Sequence, residues 1–303
     1  MKKKIKVAIS YLIYPCSMAE YFVRAFRRRS DVELWTVGPY TGDWIPWNGG
    51  MNVHTNEVRP PDLPLSVNLS GYPFGMVAPY LPWHPDLFIQ VDAGFHFQGR
   101  PVGEKVALVQ TDPHCLDYSL PKSYSDYSFC MQTPYMKPGD VFLPYAYDPT
   151  VHYPMELEKE YDACLIGLHY QQRDLLVKAI QEKGYKVYYD LGKVFDENRI
   201  LYNKSKVALS WSSLQDTPAR VFEAMGMGIP LLCNRTPDLM DLFQDGTHFM
   251  GFDTMGEAVG KFEILMHDDV LYTRLKACSR AEVNLKHTWD HRVTKILEVC
   301  GLV

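Results

Sequence analysis

Thr217-Pro218-Ala219-Arg220-Val221-Phe222-Glu223-Ala224-Met225-Gly226-Met227-Gly228-Ile229-Pro230-Leu231-Leu232 reads as a short helix that stops at glycine and runs directly into an apolar strand. Residues three apart lie on one helix face. Arg220 and Glu223 therefore point the same way, towards the crevice beyond the strand ends. A carboxylate there can accept hydrogen bonds from a ribose diol, and a guanidinium beside it can grip phosphate. The competing reading is a surface i, i+3 ion pair, which would contribute little.

Outward from this stretch the same alternation continues. Tyr161–Gly167, Lys186–Asp190, Val207–Trp211 and Ile229–Cys233 are short apolar runs suited to buried parallel strands, and Gln171–Lys183 and Asp196–Lys204 are the helices between them. Residues 1–150 repeat the pattern with strands at Lys6–Ser10, Val32–Val37, Leu87–Val91, Val106–Gln110 and Tyr127–Met131, and a helix at Met18–Arg29. Ala19, Phe22, Val23 and Phe26 share one face of that helix. Gly38–Pro85 is irregular and rich in Pro, Gly and Trp, a length of loop that signals function or a hidden element. The Pro-rich stretch Leu143–Tyr161 reads as a linker, and Thr288–Cys300 as a closing helix N-capped by Thr288. The expected architecture is α/β, with two doubly wound parallel sheets, residues 1–150 and residues 151–303 with the closing helix.

Composition excludes several classes. With 303 residues, 47% hydrophobic and 22% charged, the chain is an ordinary globular protein of a size that favours two domains. Its net charge of −5 offers no general attraction to a polyanion, and the runs Lys2-Lys3-Lys4 and Arg27-Arg28-Arg29 read as a solvated terminus and a helix end. Seven scattered cysteines without a Cys-x-x-Cys pair argue for reduced thiols and a cytoplasmic location. The long uncharged segment Leu63–Pro85 carries five prolines, so it cannot be a spanning helix.

The Arg220–Leu232 segment, with Asn234-Arg235-Thr236-Pro237, Leu239-Met240-Asp241-Leu242-Phe243 and the tail His287-Thr288-Trp289-Asp290-His291-Arg292, resembles the donor-site signature of GT-B glycosyltransferases. The resemblance is closest to the group related to the spore-maturation protein CgeB. It is specific over roughly residues 160–300 and looser before. It implies two Rossmann-like domains facing a cleft, and a hexosyl- or pentosyltransferase that is metal-independent and retaining. The enzyme would need no cofactor and would use a nucleoside-diphosphate sugar as donor, with an unidentified acceptor: a glycan, a protein, a small molecule or modified DNA. The related retaining enzymes carry two glutamates separated by seven residues. Glu223 matches the second, and Gln215 stands at the first, where it can bond sugar hydroxyls but supplies no charge. That departure leaves room for a non-catalytic nucleotide-sugar-binding module.

The donor cradle is expected from three strand-end loops. Arg173 lies early in a helix after the first of them, where it either assists the diphosphate or is simply solvated. Gln215, Arg220 and Glu223 follow the third strand, and Asn234, Arg235 and Thr236 the fourth. Thr236 suits an N-cap and Pro237 the first helical position, which would aim the next amides and Arg235 at phosphate. In the first half, Asp112 and His114 end a strand as a candidate acid–base pair, or as a plain turn. Asp92 and His96 form a second strand-end cluster for the acceptor side. No Asp-x-Asp pair is present, so no metal site is expected. Trp44–Trp47 is an aromatic-rich loop of the kind that stacks on an exposed base.

Overall fold

The computed structural model describes residues 3–303 apart from Cys16, 46–49, His54, Asn56, 68–70 and 93–94, with Asp92 described by its backbone alone. The chain divides into two compact units. One comprises the residues up to Pro144 together with Trp289–Val303, and the other comprises Tyr145–Thr288.

The first unit holds a seven-stranded sheet of β1 (Ile5–Ser10), β2 (Val32–Pro39), β3 (Leu63–Leu65), β4 (Leu87–Asp92), β5 (Lys105–Gln110), β6 (Tyr127–Cys130) and β7 (Asp140–Phe142). Its order is β7-β6-β5-β4-β1-β2-β3, and every neighbouring pair is parallel. The strand cores Val7-Ala8-Ile9 and Val106-Ala107-Leu108-Val109 are fully buried on both faces, as continuous apolar runs require. Helix α1 (Ala19–Arg28) buries the expected face, including Phe22 and Phe26. Each such side chain contributes roughly 1.5–3 kcal/mol.

Two stretches that looked irregular have structural jobs. Leu63–Leu65 extends the sheet as β3. Phe74, Phe95 and Phe97 cover Ala8, Trp35, Phe88 and Val106 on one sheet face. Phe74 meets Phe88 and Phe97 edge-on, with ring centroids 5.3 and 5.1 Å apart. These edge-to-face contacts pack the 3-10 turn Phe74–Met76 onto the sheet. A short helix, α2 (Ser119–Ser123), lies between β5 and β6.

The second unit is a five-stranded sheet of β8 (Tyr161–Ile166), β9 (Val187–Asp190), β10 (Ser205–Ser210), β11 (Leu231–Asn234) and β12 (Met250–Phe252), ordered β9-β8-β10-β11-β12 and parallel throughout. Around it run α3 (Gln171–Gln181), α4 (Phe195–Asn203), α5 (Ala219–Gly226), α6 (Pro237–Leu242), α7 (Met255–His267) and α8 (Asp269–Lys286). Leu176, Val177 and Ile180 of α3 meet Phe262 and Leu265 of α7 over Leu165, Leu209 and Leu232 of the sheet.

The final helix, α9 (Trp289–Val299), departs from the expected division, which kept it with residues 151–303. It belongs to the first unit: Trp289, fully buried, lies 4.8 Å from the Phe22 ring and stacks on Tyr21 at 5.9 Å. Arg28 closes the contact with a forked bond to Asp290. The closing helix was legible in the sequence, but its sequence does not say which core receives it. Among the described residues no helix is long and apolar enough to cross a membrane.

Candidate functional site

In the second unit β9 lies on one side of β8 and the later strands on the other, so connections reverse direction between β8 and β10. In open parallel sheets ligands bind beyond the strand carboxyl ends at such a reversal. The two loops there are 167–170 after β8 and 211–218 after β10.

Arg173 straps those loops together. From the first turn of α3 its Nε donates to the Trp211 carbonyl at 2.9 Å and its Nη1 to the Leu168 carbonyl at 2.9 Å. Its guanidinium also sits 4.7 Å from the Tyr170 ring centroid. Burial, and then repulsion from Arg220, push its pKa down to about 10. The second arginine is close for a backbone reason. Gly167 has φ +150°, and a Cβ there would meet Arg220 Nη2 at 2.3 Å and Arg173 Nη1 at 3.4 Å. Only glycine lets two guanidinium groups lie against that point of the chain. Arg220 Nη1 is buried with no hydrogen-bond partner. Two cations thus share one strand end, and one of them has an unused donor.

One helical turn after Arg220 stands Glu223, its side chain only 13% exposed. Burial, moderated by Arg220, raises its pKa to about 7. Glu223 does not form the surface ion pair with Arg220 that spacing alone allowed. Its Oε1 faces Nε2 of the buried His152 at 3.6 Å. His152 was missed because it lies in the Pro-rich stretch read as linker. The only signal there was an imidazole between Asp148-Pro149 and Tyr153-Pro154.

The loop after β10 is tied to the loop after β11. Asn234 accepts from the Ser212 amide at 2.7 Å and donates to the Ser212 carbonyl at 2.9 Å, and the hydroxyls of Thr217 and Thr236 meet at 2.8 Å. Ser212 also bonds Asp216. Thr236 is the N-cap of α6 with Pro237 next, as expected, but its side chain caps no helix amide. Asn234 and Thr236, expected to touch the donor, set the shape of the loop. Gln215 is exposed and left-handed, with φ +57°.

Arg235 is ion-paired within the protein. It was expected to meet phosphate, yet its guanidinium is taken up by Asp245 at 2.7 Å, Asp253 at 2.6 Å and Glu257 at 3.3 Å. Three carboxylates around one cation leave no net positive field for an anion. A one-sequence reading saw the arginine but not the acids that converge on it from β12 and its flanks.

In the first unit, Asp112 follows β5 with its carboxylate taking the Thr111 hydroxyl at 2.8 Å. His114 is half-buried against Tyr135, ring centroids 5.8 Å apart, and its Nδ1 is buried without a partner, so Asp112 does not orient it through that nitrogen. Asp92 ends β4, but its side chain lies outside the described residues, as do Ala93 and Gly94; His96 is half-buried. Of the aromatic loop 44–47, Trp44 is exposed and Trp47 lies outside the described residues. Two arginines of the run are paired: Arg28 holds Asp290, and Arg29 holds Asp31 and Thr294.

Residues 154–298, just under half of the chain, match the model of a family described as glycosyl transferase-like. No curated protein matches the chain in sequence. Among solved structures it is similar to Anabaena HepE in complex with UDP-glucose, with TM-score 0.66, 8% identity, and 99% of this chain and 100% of that one covered. It is similar to an alpha-glucosyltransferase in complex with UDP and a 13-mer DNA containing a HMU base, with TM-score 0.66, 13% identity, and 98% and 100% covered. A sucrose-phosphate synthase from Thermosynechococcus elongatus aligns with TM-score 0.62, 10% identity and 98% of each chain covered. At these identities the likeness shows the fold, which is GT-B, with two Rossmann-like parallel-sheet domains. The family match and the fold together support a glycosyltransferase.

Proposed function

We propose that the chain transfers a hexosyl or pentosyl unit from a nucleoside-diphosphate sugar to an acceptor hydroxyl, with retention and without a metal ion, as a member of the CgeB-like group. The observation that carries this reading is the buried, unpartnered Nη1 of Arg220 beside Arg173, one turn ahead of the buried Glu223 and at the sheet's reversal point. Two guanidinium groups sharing one strand end are unfavourable alone and favourable around a diphosphate. Glu223 takes the ribose diol, and Gln215 bonds a sugar hydroxyl. Arg220 and Arg173 stabilise the leaving diphosphate as the glycosidic bond breaks, the part a cation would otherwise play. UDP and UDP-glucose, bound by HepE, are the first donors to test.

His114 and Asp112 serve the transfer step, with Asp92 and His96 on the acceptor side. Modified DNA is the less favoured acceptor, because Arg28 and Arg29 are already paired within the protein. Gln215, exposed and uncharged, favours one second reading: a donor-binding module that does not transfer. Calorimetry against UDP-, GDP-, ADP- and TDP-sugars, followed by assay of donor hydrolysis without acceptor, separates the two. Transfer requires both binding and turnover, whereas a module binds and leaves the donor intact. Binding of none of these sugars would remove the reading altogether.

A further inference from the structure

Beside Glu223, His152 has no place in the donor contacts above, yet its ring is buried and bonded. It is 2% exposed. The Asp148 backbone N–H donates to its Nδ1 at 3.3 Å, so Nδ1 is the acceptor nitrogen and the neutral ring carries its hydrogen on Nε2. That is the nitrogen 3.6 Å from Glu223 Oε1. The loop presenting the amide is itself locked: Asp148 Oδ1 accepts from the Thr150 amide at 2.8 Å and the Thr150 hydroxyl at 2.7 Å. Such a side-chain-closed turn is a stable local unit. Turning the ring over would forfeit the Asp148 bond and present a bare nitrogen to the carboxylate.

We propose that His152 positions the Glu223 carboxylate for the nucleotide and thereby sets the pH at which the nucleotide is bound. This inference rests on the ribose role given to Glu223 above. The charged and titratable groups facing Glu223 are Arg220 on its own helix, His152 from the chain before β8, and the buried phenol of Tyr202 on α4. Of these three, His152 is the one with an N–H set against a carboxylate oxygen, Nε2 to Oε1 at 3.6 Å. The diol's hydroxyls donate to the ionised carboxylate, so binding draws Glu223 into its charged form. Affinity therefore rises with pH through the Glu223 titration, which burial places at about 7, and levels off above it. Removing the His152 donor destabilises the charged form and moves that midpoint upward.

The test uses the 303-residue chain with UDP, GDP, ADP and TDP as probes, titrated by calorimetry from pH 5.5 to 9. In parallel, the Glu223 carboxyl is followed by carbon NMR without nucleotide, its signal assigned through Glu223→Gln. His152→Ala is expected to shift both midpoints upward and to weaken nucleotide binding at pH 7 several-fold, less than loss of a full hydrogen bond to a charged group would, because the contact is 3.6 Å long. His152→Gln, which keeps an N–H donor and covers the case in which the alanine variant does not fold, is expected to fall between alanine and wild type. A side chain that merely packs would lower the melting temperature and leave both midpoints in place. Wild-type binding with unmoved midpoints in both folded variants overturns the inference alone. Failure of the wild type to bind any of the four nucleotides at any pH overturns the ribose role of Glu223, and the inference with it.

Discussion

Asn234 grips the backbone of Ser212 from both sides, accepting its N–H and donating to its C=O across neighbouring strand ends. Both halves of the amide are therefore spent on shaping the loop that leads to Arg220 and Glu223. Asn234→Asp keeps the acceptor but sets a carboxylate against the Ser212 carbonyl. Asn234→Ala leaves two buried backbone groups unmatched. Each is expected to cost about 1–3 kcal/mol of stability and to weaken nucleotide binding indirectly. Denaturant melts of the two variants check this. Full stability in both would mean that the loop keeps its shape without Asn234.

Arg220→Ala is expected to separate stability from function. The ligand-free protein should lose nothing, and should melt at the same temperature or higher, because the variant removes a half-buried cation whose buried Nη1 lacks a partner and which repels Arg173. Affinity for a nucleoside diphosphate should fall about 10- to 150-fold, the worth of a charged hydrogen bond. Affinity for the free nucleoside should be nearly unchanged. Equal loss for nucleoside and diphosphate would assign Arg220 to the wrong part of the ligand.

Gly167→Ala tests the same corner from the backbone side. An added methyl carbon would fall 2.3 Å from Arg220 Nη2, at a φ of +150° that L-residues rarely adopt. Strain of this kind costs on the order of 1–3 kcal/mol. Lower stability together with lost diphosphate binding is expected, and wild-type behaviour in both measurements would show that the two arginines do not depend on the bare backbone.

What was legible from one sequence follows a physical line. Apolar runs and helical periodicity located most of the major strands and helices, because burial imposes those patterns directly. Arg220 and Glu223 were legible because helix spacing fixes their shared face. Long-range partnership was not. Nothing in the stretch Arg235-Thr236-Pro237 announces Asp245, Asp253 and Glu257, and nothing in a Pro-rich segment announces that His152 meets Glu223. Likewise β3 is three residues long and contains Pro64, so it carries no alternation to detect. Its place on the sheet is decided by the register with β2.

The raised pKa of Glu223 has a consequence for stability without any ligand. Its value in the fold, about 7, lies above the ordinary 4.5, so the folded state holds this proton more tightly than the unfolded chain does. The contribution is fully present below about pH 4.5 and is lost as pH rises through 7, on the order of 3 kcal/mol in all. Glu223→Gln cannot ionise and should abolish that slope, leaving a variant more stable than wild type at pH 8. Thermal melts of both proteins between pH 5 and 8.5 give the comparison. Parallel curves would mean that Glu223 keeps its ordinary acidity in the folded protein.

His114 gives the sharpest separation of transfer from binding. Every residue assigned to the nucleotide belongs to the second unit, whereas His114 belongs to the first. Its ring is held against Tyr135 while its Nδ1 is buried and unpartnered, a polar atom with no structural bond to lose. His114→Ala should therefore leave the fold and the nucleotide affinity within a few-fold of wild type. If His114 serves the transferred sugar or the accepting hydroxyl, transfer should fall by roughly 10²-fold or more, the scale of a positioned acid–base group. Single-turnover transfer measured at saturating donor isolates that step from binding. Undiminished transfer would pass the role to His96 and Asp92. Lost nucleotide affinity in a folded variant would mean that the two units do not divide the work in this way.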